Sequence, residues 1–114
     1  MSTSAEVKVE LQGATVVARL SGEVDMANAS YVRDELLRAV PNDAIALVID
    51  LTAARYLDSA AIALLFEIAR RLETRRQALR LVLPPGSPLE RVLVLTEVGT
   101  VAPIHEDLDS ALAG

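Results

Sequence analysis

Hydrophobic and polar positions change period several times along the chain, and each change marks an element. Val7, Val9 and Leu11 alternate with Lys8 and Glu10, the period of a strand with one face covered. Gln12-Gly13 makes a turn, and Ala14 to Leu20 predicts a second strand with Val16, Ala18 and Leu20 on one side. So short a link joins antiparallel neighbours, so the two strands form a hairpin. Ser21-Gly22 reads as a break. From about Asn28, residues Ala29, Val32, Leu36 and Val40 recur at helical spacing, with Arg33, Asp34 and Arg38 off that stripe. Pro41-Asn42-Asp43 ends the helix, and the apolar run Ala44 to Ile49 predicts a strand covered on both faces.

Thr52 to Leu57 reads as a connecting loop. Asp58-Ser59 then opens the strongest helical pattern, with Ile62, Leu65, Phe66, Ala69 and Leu72 on one face. Ala78 to Leu83 predicts another strand, broken at Pro84-Pro85-Gly86. Ser87, Pro88 and Glu90 meet three helix-start rules: a cap, a first-turn Pro and the closing acid of a capping box. That helix should end near Val98 with Gly99 as its left-handed stop. Thr100 to His105 predicts a last strand, and Asp107 to Ala113 a last helix with Leu108, Ala111 and Leu112 inward. The order β-β-α-β-α-β-α-β-α predicts an α/β domain over 7–113 behind a flexible N-terminus over 1–6. Its mixed sheet is parallel in the centre, with right-handed crossovers and about four helices.

Composition narrows the function. The chain has 114 residues, 52% hydrophobic and 24% charged, which suits one folded domain. Its longest apolar run, Ala60 to Phe66, holds seven residues, well short of a membrane span. The first residues lack the basic-then-apolar pattern of a secretory signal, so a cytoplasmic location away from membranes is expected. Zero Cys removes disulfides, thiol catalysis and thiolate metal sites. A net charge of −5 with three aromatic residues disfavours nucleic acid, which asks for a basic surface and stacking platforms. His105 is the single histidine, so no histidine metal cluster forms.

What remains is chemistry of carboxylates and hydroxyls. Asp58-Ser59 reads first as a helix cap, since either oxygen can accept orphan N–H groups. It also reads as a modification site. A phosphate on Ser59 would meet free N–H groups and the positive end of a helix dipole. Glu23-Val24-Asp25 follows the second strand, and Asp50 the third. In a sheet with a parallel centre, sites gather beyond the carboxyl ends of strands, so an acidic cluster near Ser59 is expected, with Asp25 as first-helix cap the alternative. Such carboxylates also raise Mg²⁺ as a candidate ligand. Serine catalysis has neither a Gly-x-Ser-x-Gly elbow nor a nearby His, and no phosphate-binding Gly loop occurs. The chain is therefore not expected to be an enzyme or to carry a cofactor. Leu64 and Ile68 fall off the main apolar face, on one stripe with Arg71 and Arg75. They either pack against a neighbouring helix or form a partner-facing patch.

Three segments in order resemble a known family. Leu20-Ser21-Gly22-Glu23-Val24-Asp25 is similar to its strand ending in Gly-Glu-aliphatic-Asp. Ile49-Asp50-Leu51 with Tyr56-Leu57-Asp58-Ser59 resembles its strand-loop-Asp-Ser signature, and Pro88 to Leu93 with Thr96 its third-helix segment. The family is the STAS domain, and the resemblance, over roughly Val7 to Leu112, is nearest to bacterial anti-sigma factor antagonists. It implies a partner switch. Unphosphorylated, such a protein binds an anti-sigma factor that is itself a GHKL-type serine kinase. Phosphorylation at the position of Ser59 releases it, and a metal-dependent serine phosphatase resets it. A partner over Ser59 would meet Glu23, Asp25, Asn28 and Asp58, with Ala60 and Ala61 and then Leu64 and Ile68 along the helix. Family members commonly carry a second hydroxyl and a Gly where this chain has Ala60 and Ala61. Ala in place of Gly strengthens a helix by up to ~1 kcal/mol, and its methyl stands where Gly would admit a partner backbone. The alternative is a scaffold subunit of a stress-signalling or transport-ATPase complex that is never phosphorylated. A monomer is the default state.

Overall fold

The computed structural model describes residues 5–114. Of the segment 1–6, residues 1–4 lie outside the described residues. The hairpin forms as expected, with β1 (Glu6–Gln12) antiparallel to β2 (Thr15–Val24). The chain then continues through α1 (Ala29–Arg38), β3 (Ala46–Asp50), β4 (Ala54–Leu57), α2 (Ser59–Thr74) and β5 (Ala78–Val82). It closes with α3 (Glu90–Leu95), a 3-10 turn over Val98–Thr100, β6 (Ile104–His105) and α4 (Leu108–Ala113). The sheet order is β1-β2-β3-β5-β6, and every pair except β1-β2 is parallel. This is the mixed α/β sheet with a parallel centre that the pattern predicts.

Two departures share one cause. Ser21-Gly22 does not end β2, and residues Thr52 to Leu57 are not all loop. The strand continues to Val24, and β4 pairs with its far end in parallel, Glu23 beside Tyr56 and Val24 beside Leu57. The register slips between Gly22 and Glu23. Gly22 takes φ +88°, a region costly for other residues, and its N–H donates to the Ala53 carbonyl at 3.1 Å. Gly22 therefore bends a continuous strand where sequence suggests a stop. A similar reassignment occurs after α3: the left-handed residue is Glu97, φ +59°, rather than Gly99.

Alternation along the central strands divides the side chains between two cores. Val16, Ala18, Leu20, Leu47, Ile49, Leu79 and Leu81 belong to the main core with α1 and α2. Val17, Val48 and Val82 face the other way and are covered by Ala111, Leu108 and Leu112 of α4. β3 is thus buried on both faces. Arg80 reaches the end of α4 and donates to the Ala111 carbonyl at 3.1 Å, a favourable place for a cation. The hairpin's outer strand departs from expectation: Val7 packs against the core, but Val9 and Leu11 are exposed. β1 is the sheet edge; α1 reaches it at the Val7 end but leaves Val9 and Leu11 uncovered.

Gln77 precedes β5 and is buried. Its Nε2 donates to the Pro41 and Ala44 carbonyls, both at 2.9 Å, tying the start of β5 to the turn before β3. Gln77→Ala should lower stability by about 2 kcal/mol, because it strands buried acceptors; urea denaturation measures this directly. Asp107 caps α4 by accepting from the Ser110 N–H at 2.8 Å, and that bond holds its carboxyl below the usual carboxylate range. A pKa depressed on folding adds stability above the unfolded carboxylate value and loses it as pH falls through the folded one. The difference in melting temperature between wild type and Asp107→Ala should therefore shrink on acidification.

Candidate functional site

β4 lying beside the end of β2 brings two loops together, the one from β2 to α1 and the one from β4 to α2. Asp58 joins them. Its backbone N–H donates to the Val24 carbonyl at 3.2 Å. Its Oδ1 accepts from the Ala61 N–H and its Oδ2 from the Met26 N–H, each at 3.0 Å. One carboxylate thus caps α2 and pins the loop before α1, each a charge-assisted bond.

Ser59 is the first residue of α2 and is exposed. Asp58 fills the cap, and among the described residues the Ser59 hydroxyl makes no hydrogen bond. Of the two roles open to Asp58-Ser59, capping falls to Asp58. The hydroxyl is left at the positive end of a sixteen-residue helix.

The expected acidic cluster assembles in part. Asp25 sits in the pinned loop, its Oδ1 accepting from the Ala27 N–H at 2.9 Å and its carbonyl from the Asn28 and Ala29 N–H groups. It therefore shapes the turn into α1, while Asn28 occupies the position just before the helix. Glu23 lies half-exposed on β2. Asp50 takes no part: it accepts from Thr52 Oγ1 at 2.6 Å and faces Arg19 at 3.8 Å, on the α4 side of the sheet. Among the described residues, no three Asp, Glu or His side chains converge as metal donors.

Four expected contact residues stand elsewhere than on an open surface. Asn28 is buried and accepts from the Asp25 N–H while donating to the Glu23 carbonyl, each at 3.0 Å. It is a brace beneath the loop. Ala61, at 1% exposure, is part of the main core, so its methyl meets the protein interior and not a partner's backbone. Leu64 and Ile68, at 5% and 0% exposure, are core residues as well. Of the two roles open to them, packing is the one observed, because α1 lies alongside α2 and covers the stripe. Ala60 remains half-exposed beside Ser59.

Sequence reasoning named Ala60 and Leu64 but missed the other residues of the groove that begins beside Ser59. A groove of about 290 Å³ runs between α1 and α2, lined by Met26, Ala29, Ser30, Arg33, Ala60, Ala63, Leu64 and Glu67. Met26, at its head, is 82% exposed. Glu67 bridges Arg33 at 3.7 Å and Arg71 at 2.9 Å. A large apolar residue in a polar loop directly after Asp25 was the available signal for Met26. The Arg33–Glu67 pair joins separate helices and had no local one.

Comparison with known proteins adds the relationship. The family model described as STAS domain matches residues 6–111. An anti-sigma factor antagonist from Mycobacterium paratuberculosis is 28% identical, with a TM-score of 0.85, over 96% of this chain and 92% of that one. The Bacillus cell fate determinant SpoIIAA in its phosphorylated form shares the fold at 22% identity and a TM-score of 0.67, over 95% of this chain and 97% of that one. A sulfate transporter family protein from Wolinella succinogenes does so at 16% identity and a TM-score of 0.68, over 91% of this chain and 86% of that one. No curated protein matches by sequence. Among the described residues no helix is long and apolar enough to cross a membrane.

Asp58→Ala removes both the cap and the loop tether and should cost about 2 kcal/mol. Amide hydrogen exchange should then accelerate together at Met26 and Ala61, whereas loss of the cap alone would speed only Ala61.

Proposed function

The chain belongs to the STAS domain family, and from that premise we propose that it is an anti-sigma factor antagonist switched at Ser59. Unphosphorylated, it binds an anti-sigma factor that is also a serine kinase of the GHKL type. The kinase phosphorylates Ser59, the complex separates, and a metal-dependent serine phosphatase restores the binding form. Sigma-factor-dependent transcription is what the switch controls, in the cytoplasm. The chain catalyses nothing itself: Ser59 is an acceptor, and the kinase supplies the base.

The observation that carries this reading is the exposed, unengaged Ser59 hydroxyl at the start of α2, with capping already done by Asp58. Modification there leaves the helix cap intact. The likeness to the mycobacterial antagonist supports the role, and the phosphorylated Bacillus protein has the same fold. Phosphate would add about −1.5 to −2 charge at pH 7 next to Asp58 and Asp25. Within a docked interface, like-charge repulsion and desolvation of that size cost several kcal/mol. A cost of about 3 kcal/mol separates the partners about a hundredfold.

The scaffold reading makes position 59 indifferent to charge. A paired capture from lysate of the source organism with Ser59→Ala and Ser59→Asp as bait distinguishes the two. The Ala form should retain a small ATP-binding kinase, and the Asp form should hold it at least about tenfold more weakly by titration. Equal capture by both would defeat the switch.

A further inference from the structure

The free edge of the sheet carries a charge pattern that a single copy leaves half used. Among the described residues β1 pairs on one side only, so alternate backbone N–H and C=O groups along Glu6–Gln12 point away from the sheet. Val9 and Leu11 are 46% and 66% exposed, although the residues beside them in register, Ala18 and Val16, are fully buried. The apolar layer of the core therefore runs out to the edge and stops uncovered.

On the opposite face Lys8 lies directly beside Arg19, an unfavourable like-charge pair. Arg19 has its own partners, Glu10 at 2.7 Å and Asp50 at 3.8 Å. Among the described residues Lys8 has no carboxylate in ion-pair range. Hydrogen bonds from Gln12 and Arg19 keep the Glu10 carboxyl below its usual range, so it stays ionised. Its two oxygens each keep capacity for a further donor.

We propose that β1 pairs with β1 of a second copy of this chain, antiparallel about a two-fold axis at Val9. To keep apolar side chains on one face, odd positions must oppose odd ones. Centred on Val9, Lys8 opposes Glu10 of the partner subunit on both sides of the axis, and Val7 opposes Leu11 of the partner subunit. The neighbouring permitted registers are self-repelling: centring on Lys8 sets it against its own copy, and centring on Glu10 does the same there. A Lys on an edge strand ordinarily deters pairing. Here Glu10, two residues on, turns the same charge into recognition of an identical edge. The arrangement is isologous and closes after two copies.

Sedimentation equilibrium of the full chain tests this. The mean mass should rise with concentration from 12.2 kDa towards twice that. Lys8→Glu and Glu10→Lys should each weaken association at least about tenfold, since each turns two attractive cross-strand pairs repulsive. An equimolar mixture of the two variants should associate again, because every facing pair is then opposite in sign. Val9→Lys, at an exposed position, should also dissociate the pair by placing two ammonium groups at the axis, and circular dichroism verifies that each variant is folded. A wild-type mass that stays at 12.2 kDa up to about 1 mM would overturn the proposal. So would a dimer that both charge variants leave intact, or a mixture no more associated than its components.

Discussion

The bend in β2 at Gly22 is the constraint on which the site depends. Before it, the strand pairs with β1 and β3 and forms the middle of the sheet; beyond it, the same strand pairs with β4. A straight strand would carry Val24 away from β4, and Asp58 would then lie out of reach of the Val24 carbonyl and the Met26 N–H. Backbone geometry at one residue without a β-carbon thereby sets the relation between two loops far apart in sequence.

Asp58 converts that juxtaposition into a bonded surface. One carboxylate serves both Ala61 and Met26 and so ties the loop before α1 to the first turn of α2. Beneath them, Asn28 is bonded to the backbone of Glu23 and Asp25. The neighbouring hydroxyl is spared structural duty. A change at Ser59 would therefore leave both the cap and the loop tether in place.

The two faces of the sheet are covered unequally, and even the better-covered face does not reach the whole of β1. α1 and α2 cover the main core, whereas the far side relies on the six residues of α4. Where the helices end, side chains that local pattern marks as interior emerge into water, at Val9 and Leu11 on β1. Each of these carries roughly 25 cal/mol per Å² of uncovered apolar area, which a covering surface recovers.

Periodicity determined most of the architecture. The hairpin, the buried β3 run, the α2 stripe and the parallel centre follow from spacing that any fold must respect, because alternation and helical repeat decide which side chains share a face. The motif Asp58-Ser59 was legible as a helix start for the same reason. Tertiary structure decided what depended on partners distant in sequence. It showed that Ser21-Gly22 bends a strand and does not end it, since only β4 reveals what the continued strand pairs with. It assigned the cap to Asp58 and not to Ser59, a matter of side-chain direction. It buried Asn28, Ala61, Leu64 and Ile68, because the cover of a helix face depends on where the neighbouring helix lies. And it left Val9 and Leu11 in the open, since a strand's alternation states which face is apolar but not whether anything lies over it.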